Sequence, residues 1–459
     1  MSEITKRVIC LADFVLFLCL LYWSPFNSDP IINKALSLLV FIGILWLSEA
    51  IHISIVALLI PIFAVVLGLM NTKNALIAFA DPNIFLFLGG FALAAAMRVQ
   101  KIDEWIAQKI ILLARGHFGR SIFAIFLVTA CLSMWMSNTA VVVIVLPLAL
   151  GLLSSIPQMQ DIQKHKIYAF TLLGIAFSAS IGGMGTIIGT PPNAIVATQL
   201  GISFSEWLWY GIPIVLIFWP IMICILWCVF RPKLNMLFSL DLENKSLNPQ
   251  QWMTLVLFIC IALSWIFSKT INEGLSALIG LDAKISSFDS IIALSAIVII
   301  CISNIANWKE IQKNTDWGIL ILFGGGITLS VLLKDSGASK VMADLVVSLI
   351  QDGHLFLIGL AVAFFIVFLT EVTSNTASAA LLVPLFVSIA DSLSVPSLGL
   401  ALIVGFGASC AFMLPVATPP NAIVFGSGHI RQGDMMRVGL ILNIVCASIL
   451  ATIGYVFWL

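Results

Sequence analysis

Two short polar strings lie deep inside apolar stretches of this chain, where polar side chains are uncommon. Residues 137–140 read Ser-Asn-Thr-Ala, and residues 374–377 repeat the same four residues. A hydroxyl residue precedes each string by four positions, Ser133 in the first copy and Thr370 in the second. The strings offer hydroxyl groups and amides that can donate and accept hydrogen bonds. Because such groups are costly at membrane depth unless they line a cavity or are buried in protein, the strings indicate a binding site.

A second pair of strings contains consecutive prolines. Residues 189–195 read Gly-Thr-Pro-Pro-Asn-Ala-Ile, and residues 417–423 read Ala-Thr-Pro-Pro-Asn-Ala-Ile. Proline removes a backbone donor and frees a carbonyl group, so each string is expected to break a long helix. The N-termini of half-helices suit a carboxylate, whereas unwound carbonyl groups suit a small hard cation such as sodium. The matched copies therefore predict one site, at the junction of two repeats, that can hold an anion and sodium side by side.

The composition places these strings in a membrane. Apolar residues make up 61% of the 459 residues and charged residues only 10%. This composition predicts an all-α polytopic membrane protein surrounded by the lipid bilayer. The net charge is zero, and no long basic run suggests a nucleic-acid partner. The nine cysteines lie in or beside apolar segments, which is typical of small buried hydrophobic residues rather than of a disulfide framework.

We expect about eleven transmembrane helices and two re-entrant hairpins. The crossings are predicted at residues 8–24, 34–51, 53–70, 82–98, 168–199, 208–230, 252–268, 285–303, 317–333, 397–428 and 438–459. Two further apolar stretches, 121–150 and 355–390, each contain one Ser-Asn-Thr string. As a single helix the first stretch would measure about 45 Å, against a hydrocarbon core of roughly 30 Å. We therefore predict that each stretch folds as two half-helices that enter and leave the membrane on the same side.

The distribution of Lys and Arg favours hairpins over two additional crossings. With hairpins and a cytoplasmic N-terminus, 16 basic residues lie inside and 6 outside, compared with 13 and 9 if both stretches crossed. Five crossings separate the hairpins, so the first is predicted to open from the cytoplasm and the second from the outside. The repeat is therefore inverted, and the C-terminus is expected outside. The first apolar segment is expected to be a retained helix rather than a cleaved signal peptide.

These features divide the chain into four parts. We assign residues 1–52 to N-terminal scaffold helices, 53–230 to the first repeat, 231–251 to a cytoplasmic linker and 252–459 to the second repeat. A third correspondence supports the repeats, because the glycine-containing segment 88–93 resembles 324–329 at an offset of 236 residues. The polar segments that follow, 98–120 and 334–353, are expected to lie along the membrane interface and to carry the hairpins.

The paired strings, together with Trp-Leu-Ser-Glu-Ala at residues 46–50, resemble the divalent anion/sodium symporter (DASS) family of dicarboxylate transporters. The resemblance covers essentially the whole chain. It implies a carrier in the plasma (inner) membrane that imports C4-dicarboxylates such as succinate, malate and fumarate. Sodium ions are co-transported, and no organic cofactor is implied. The family is dimeric, so the resemblance implies a homodimer whose hairpin-bearing part moves as an elevator against a scaffold.

The resemblance also implies which residues form the site. One sodium ion is expected at Ser133, Ser137, Asn138 and Gly189, and a second at Thr370, Ser374, Asn375 and Ala417. The substrate carboxylates are expected to contact Asn138, Thr139, Thr190, Asn375, Thr376 and Thr418, with Pro419 lining the pocket. Some members of the family have serine at position 190, which leaves the choice of substrate open.

Other functions stay open within the carrier class. A sodium-independent exchanger of di- or tricarboxylates and a sulfate symporter would use the same kind of site. A channel also fits discontinuous helices, but it would conduct without saturable flux coupled to sodium. An enzyme is not expected, because the chain lacks the Gly-x-Ser-x-Gly and His-Glu-x-x-His motifs and paired membrane aspartates.

One acidic residue close to the second string has two possible roles. Glu371 lies three residues before Ser374, whereas the first repeat has Met134 at the matching position. The carboxylate could bond the backbone of the hairpin, or it could take up a proton during coupling.

Overall fold

The computed structural model describes residues 3–26, 28–113, 117–154, 160–236, 246–281, 283–342, 344, 355–392 and 395–459. Within these ranges every regular element is helical. This result confirms the all-α fold class that the composition predicts.

The helices are numbered in chain order. The first repeat and its preceding helices contain α1 Glu3–Trp23, α2 Pro30–Ser48, α3 Ile53–Val66, α4 Thr72–Ile77, α5 Pro82–Val99, α6 Ile102–Leu113, α7 Phe118–Ser133, α8 Asn138–Ser154, α9 Asp161–Gly183, α10 Pro191–Leu200 and α11 Phe204–Phe230. The second repeat contains α12 Pro249–Ile266, α13 Ser268–Leu278, α14 Phe288–Ile302, α15 Trp308–Asn314, α16 Trp317–Asp335, α17 Leu355–Leu369, α18 Asn375–Ser392, α19 Ser397–Ala408, α20 Pro419–Gly426 and α21 Gln432–Ile453. Short 3-10 turns cover Ala78–Ala80 and Ile187–Gly189, and a π-helical turn at Gly454–Trp458 extends α21.

Seven helices in the described part of the chain are long and apolar enough to cross a membrane. They are Pro30–Ser48, Thr72–Val99, Asp161–Gly183, Phe204–Phe230, Pro249–Ile266, Trp317–Asp335 and Gln432–Trp458. Seven shorter apolar helices, of 10–17 residues in their apolar part, include both arms of each predicted hairpin. Helices this short fit the prediction that the hairpins enter the membrane without crossing it, because a crossing needs about 20 residues.

Each predicted hairpin forms from two helices joined by a short turn. The first turn is residues 134–137, between α7 and α8, and the second is residues 370–374, between α17 and α18. Helix α7 lies directly against α9, since a Cβ atom on Gly182 would lie 2.3 Å from the carbonyl oxygen of Ala130. Helix α8 returns from the turn along α9 and α20. Residues of both hairpin tips line one cavity between the helices.

The two proline strings interrupt two long helices, as predicted. Residues 184–190 separate α9 from α10, and residues 409–418 separate α19 from α20. Each second half packs on the other repeat: α10 on α18 and α19, and α20 on α8 and α9. Val196 of α10 lies 2.4 Å from where a Cβ atom of Gly405 would be. The two repeats are therefore interlocked and share one core.

The helices outside this core show the same internal symmetry. A Cβ atom on Gly89 of α5 would lie 2.5 Å from Cβ of Ala293 in α14, and one on Gly325 of α16 would lie 2.8 Å from Cβ of Ala57 in α3. The two contacts correspond to each other, because the two glycines are 236 positions apart and so are the two alanines, which is the offset of the glycine segments. Glycine lets the helix backbones approach closely, which is a common way to pack helices in membranes.

Two predicted polar segments are described only in part. Helix α6 occupies most of the predicted interfacial segment 98–120. Residue 343 and residues 345–353 of the second interfacial segment lie outside the described residues, as do residues 237–245 of the predicted linker.

The close contact between α21 and the second helix break gives a test of this packing. A Cβ atom on Gly439 would lie 2.2 Å from the carbonyl oxygen of Phe412, whereas one on Gly433 of the same helix has no atom within 4 Å. We expect Gly439→Val to lower the unfolding temperature of the detergent-purified protein, because overpacking against backbone costs about 1–3 kcal/mol. Gly433→Val is the matched control and should leave the unfolding temperature unchanged. Equal unfolding temperatures for both variants would contradict this packing.

Candidate functional site

A cavity of about 970 Å³ lies where the two hairpin tips and the two helix breaks meet. All the residues predicted to contact substrate line it: Asn138, Thr139, Thr190, Asn375, Thr376, Thr418 and Pro419. Six of the predicted sodium ligands also line it, namely Ser137, Asn138, Gly189, Ser374, Asn375 and Ala417. The other two, Ser133 and Thr370, are fully buried behind the lining. Residues that are more than 230 positions apart in the sequence therefore form one site.

The hairpin tips present two helix N-termini to the cavity. Helix α8 begins at Asn138 and α18 begins at Asn375. The serine before each helix caps it: Ser137 Oγ accepts the N–H of Ala140 at 3.3 Å, and Ser374 Oγ accepts that of Ala377 at 3.4 Å. Within the described chain, the N–H groups of residues 138, 139, 375 and 376 have no protein partner. These free donors, at the positive ends of two helix dipoles, suit an anionic ligand.

The two proline strings present helix starts of a different kind. Thr190 and Thr418 precede α10 and α20, and each helix then begins with two prolines. Because proline has no N–H, these helix starts offer few donors to an anion. They contribute threonine hydroxyl groups and backbone carbonyl oxygens instead. The anion donors therefore come mainly from the hairpins, and the breaks are better suited to a cation.

Oxygen atoms crowd together behind the first hairpin tip. Ser133 Oγ lies 2.5 Å from Asn138 Oδ1 and 2.7 Å from the carbonyl oxygen of Ala179. A hydroxyl group has one proton, so it can donate to only one of these two acceptors. A Cβ atom on Gly189 would lie 2.3 Å from the carbonyl oxygen of Gly183 and 2.9 Å from that of Ser133. A close group of hydroxyl, amide and carbonyl oxygens is the type of ligand set that a small hard cation uses.

The second hairpin repeats this arrangement. Thr370 Oγ1 lies 2.6 Å from Asn375 Oδ1 and 2.9 Å from the carbonyl oxygen of Ala408. Again one hydroxyl proton faces two acceptors. The site therefore contains two oxygen clusters in matching positions, one in each repeat.

The asparagines of the proline strings have a role that the sequence did not reveal. Asn193 Nδ2 donates to the carbonyl oxygens of Gly183 at 2.9 Å and Thr186 at 2.7 Å. The matching Asn421 Nδ2 donates to those of Ala411 and Leu414, both at 3.1 Å. All three pairs of matching positions are separated by 228 residues, the offset of the proline strings. Each asparagine therefore satisfies carbonyl groups that its own helix break leaves without helical partners.

Glu371 bonds the second helix break. Its Oε1 accepts hydrogen bonds from the N–H groups of Phe412 and Met413 and from Asn443 Nδ2, each at 2.7 Å. Its Oε2 accepts the N–H of Leu414 at 2.9 Å. An ionised carboxylate is an acceptor only, which is what four converging donors require. The geometry fits a structural role, but the partner is the break in the neighbouring helix rather than the backbone of the hairpin itself.

The charged residues of the cavity are all acidic. Among the described residues that line it, the charged ones are Glu49, Asp316 and Glu371, and none is Lys, Arg or His. Glu49 ends α2 with a positive φ of 49°, and Asp316 precedes α16. Sequence reasoning assigned neither residue to the site. Asp316 caps α16 as Asp81 caps α5, although the two aspartates are 235 positions apart, one fewer than the offset of the glycine segments.

The four bonds to Glu371 give a second prediction. In Glu371→Gln, an NH2 group would replace one carboxylate oxygen and face a donor, so we expect about 1–3 kcal/mol of lost stability. Asn443→Ala removes one of the four donors and should cost less. Glu273→Gln, which changes an exposed carboxylate paired with Lys284, is the control and should have little effect. Thermal unfolding of the purified variants measures these differences, and a Glu371→Gln protein as stable as the control would contradict the assigned role.

Comparisons with known proteins agree with this architecture. The sequence profile of the citrate transporter family (CitMHS) matches residues 43–405. An uncharacterized transporter of Haemophilus influenzae is 59% identical over 452 residues, which cover 98% of this chain and 97% of that protein. The sodium-dependent dicarboxylate transporter SdcS of Staphylococcus saprophyticus is 31% identical over 471 aligned residues. The alignment covers 97% of this chain and 90% of SdcS.

A solved structure has a similar fold. The YdaH transporter of Alcanivorax borkumensis, whose topology is described as unusual, superposes on this chain with a TM-score of 0.55. The superposition covers 83% of this chain and 86% of the YdaH chain. The two sequences are 13% identical, so this likeness concerns the fold alone. The profile match covers most of the chain, and the matched relatives are transporters rather than enzymes, as the sequence predicted. The chain therefore belongs to the citrate transporter family, to which the divalent anion/sodium symporters that its paired motifs resemble are related.

Proposed function

We propose that this protein is a secondary carrier that imports C4-dicarboxylates together with sodium across the plasma (inner) membrane. One observation carries the proposal: a single cavity combines two free helix N-termini with two matching oxygen clusters. The helix N-termini suit the two carboxylates of the substrate, and the oxygen clusters suit two sodium ions. The similarity to SdcS, a sodium-dependent dicarboxylate transporter, supports the same substrate and ion.

The charge of the cavity gives a physical reason for coupling. A dianion in this cavity meets no basic side chain among the described lining residues, and it meets three acidic ones. Partial charges at two helix ends balance it only in part, because each amounts to about half an elementary charge. Bound sodium ions supply the missing positive charge. Substrate binding is therefore favourable only when sodium is bound, which is what couples the two fluxes.

The position of the acidic residues suggests which way the cavity opens. In the topology favoured by the basic residues, the end of α2 and the start of α16 lie at the cytoplasmic side. The cavity extends from the hairpin tips to Glu49 and Asp316 at those two helix ends. We infer that this is an inward-open state with the N-terminus in the cytoplasm and the C-terminus outside. Transport then requires the hairpin-bearing core to move relative to the other helices, as in an elevator, within a homodimer.

The buried hydroxyl groups of the two clusters give a test of the sodium sites. We expect Ser133→Ala and Thr370→Ala to raise the sodium concentration for half-maximal uptake of radiolabelled succinate by about tenfold, the effect of losing roughly 1.4 kcal/mol of binding. Ser121→Ala is the matched control for Ser133, because Ser121 is also buried in α7 but bonds only its own helix, at the carbonyl oxygen of His117. Sodium activation unchanged in both cluster variants, at normal expression, would rule out these sites.

We also expect electrogenic uptake with at least three sodium ions per dianion, one more than the two oxygen clusters would hold. An inside-negative potential of about 100 mV opposes dianion entry by roughly 4.6 kcal/mol, at 2.3 kcal/mol per charge. Two sodium ions cancel this charge and leave only their concentration gradient, about 1.4 kcal/mol each for a tenfold ratio. A third ion adds the potential as a driving force, so an inside-negative potential should accelerate uptake.

The measurement is succinate uptake into proteoliposomes whose potential is set with potassium and valinomycin. Uptake that does not respond to the potential would indicate two sodium ions per dianion. Uptake that needs no sodium but depends on internal dicarboxylate would show that the protein is an exchanger and would contradict the proposed symport. Competition by sulfate but not by dicarboxylates would point to a sulfate symporter, and flux that does not saturate would point to a channel.

A further inference from the structure

A short helix, α13, lies between two predicted crossings where the sequence indicated no element. The crossings were predicted at 252–268 and 285–303, and α13 covers Ser268–Leu278. It packs on the ends of α12 and α14. Helix α12 has 18 residues and is therefore about 27 Å long, close to the thickness of the hydrocarbon core. Helix α13 thus begins where the chain leaves the hydrocarbon, on the outer side in the favoured topology.

The side of α13 that faces the protein is polar. Ser268, Asn272 and Ser276 are spaced four residues apart on one side of the helix, and all three are buried. Asn272 Nδ2 donates to the carbonyl oxygen of Ile285 at 2.8 Å, and Asn272 Oδ1 accepts the N–H of Ile285 at 3.0 Å and the hydroxyl of Ser276 at 3.2 Å. A surface helix usually turns its apolar side to the core. Helix α13 is instead held in one orientation by hydrogen bonds.

The apolar face of α13 is exposed. It consists of Ile271, Leu275 and Leu278, which are 39%, 36% and 83% exposed. At 3.6 residues per turn these three side chains lie on one side of the helix axis. Lys269 and Glu273, which form the charged face, lie on the opposite side, about 180° away. The helix therefore has three sides, one packed on the protein, one apolar and one charged.

The charged face of α13 is open to water. Lys269 Nζ lies 3.0 Å from Glu206 Oε1 at the start of α11, and Glu273 Oε1 lies 2.6 Å from Lys284 Nζ. The four side chains are 44–68% exposed. Ion pairs this exposed add little to stability, because water screens them. They show instead which side of α13 is hydrated.

The exposed apolar surface of α12 continues onto α13. Val256, Ile259 and Leu263 are exposed along one stripe of α12, three and four residues apart. The next exposed apolar residues at a spacing of four are Phe267 and Ile271, and Ile271 belongs to the apolar face of α13. Because α12 is long and apolar enough to cross a membrane, its exposed stripe faces lipid. The same surface extends onto α13.

We propose that α13 lies in the plane of the membrane, with its apolar face among the acyl chains of the outer leaflet and its charged face in water. Helices with opposed apolar and charged faces bind membranes in this way, at a depth of about 5–10 Å in the boundary between headgroups and acyl chains. The partner is phospholipid, because the apolar face joins the lipid-facing stripe of α12. No residue of α13 lines the cavity, so this interaction is independent of the proposed carrier function.

Fluorescence quenching tests the depth of the two faces. Leu278→Cys and Glu273→Cys, each in a background without the native cysteines, are labelled with bimane and reconstituted into phosphatidylcholine vesicles. We expect lipid brominated in its acyl chains to quench the label at position 278 at least about twofold more than at 273, and aqueous iodide to show the reverse order. Ile271→Cys should behave like Leu278→Cys. Equal quenching at positions 278 and 273 by both agents would overturn the proposal.

A charge placed on each side of α13 gives a second test. Leu278→Glu would bring a carboxylate among the acyl chains, and burying an unpaired charge is costly. Ala277→Glu is the matched control, because Ala277 is exposed and follows Glu273 by four residues on the charged side. We expect a lower unfolding temperature in vesicles for Leu278→Glu and an unchanged one for Ala277→Glu. Equal unfolding temperatures for the two variants would contradict the proposed orientation.

A second copy of the chain is the alternative occupant of the apolar face. In that case Leu278→Cys would form disulfide-linked dimers with copper phenanthroline in vesicles, and a label at this position would be shielded from both brominated lipid and iodide. That result would overturn lipid contact. We expect instead no more cross-linked dimer for Leu278→Cys than for Glu273→Cys.

Discussion

Helices that end in the middle of a membrane leave backbone groups without partners, and the core of this protein is organised by that constraint. Each such group costs several kcal/mol if it faces hydrocarbon. The amides of Asn193 and Asn421 take up carbonyl oxygens of the two breaks, and the carboxylate of Glu371 takes up three N–H groups. In the described part of the chain, the N–H groups at the starts of α8 and α18 have no protein partner, and these helix starts line the cavity. The groups proposed to bind substrate are therefore backbone groups that the protein itself does not satisfy.

Because the two repeats pack into each other, their matching motifs line one cavity. Because α10 packs on the second hairpin and α20 packs on the first, neither repeat can form its own closed core. The oxygen clusters at Ser133 and Thr370 consequently lie behind the lining of a single cavity. This arrangement explains why the motifs occur twice, although the cavity is one. It also makes the hairpins and broken helices a single packed body, which is the property that a moving core requires.

Symmetry in the sequence does not produce symmetry in the contacts. The first repeat has Met134 where the second has Glu371, so only the second break is bonded by a buried carboxylate. Ile188 is packed on Gly90, whereas the matching Val416 of the second break is exposed. The difference between Met134 and Glu371 follows directly from the sequence. The second is a difference in packing between residues of similar type.

The family resemblance supplied the seven residues expected to contact substrate, and all of them line the cavity. The sequence by itself determined the helical class, the two hairpins and the two breaks. These features depend on hydropathy, on proline and on repeated strings, which are properties of neighbouring residues. The tertiary structure alone decided which backbone groups Glu371 bonds, that Glu49 and Asp316 reach the cavity, and how differently the two repeats pack at their helix breaks. Each of these depends on packing between segments far apart in the chain. Local residue patterns do not specify such distances, because many pairings satisfy the same hydropathy.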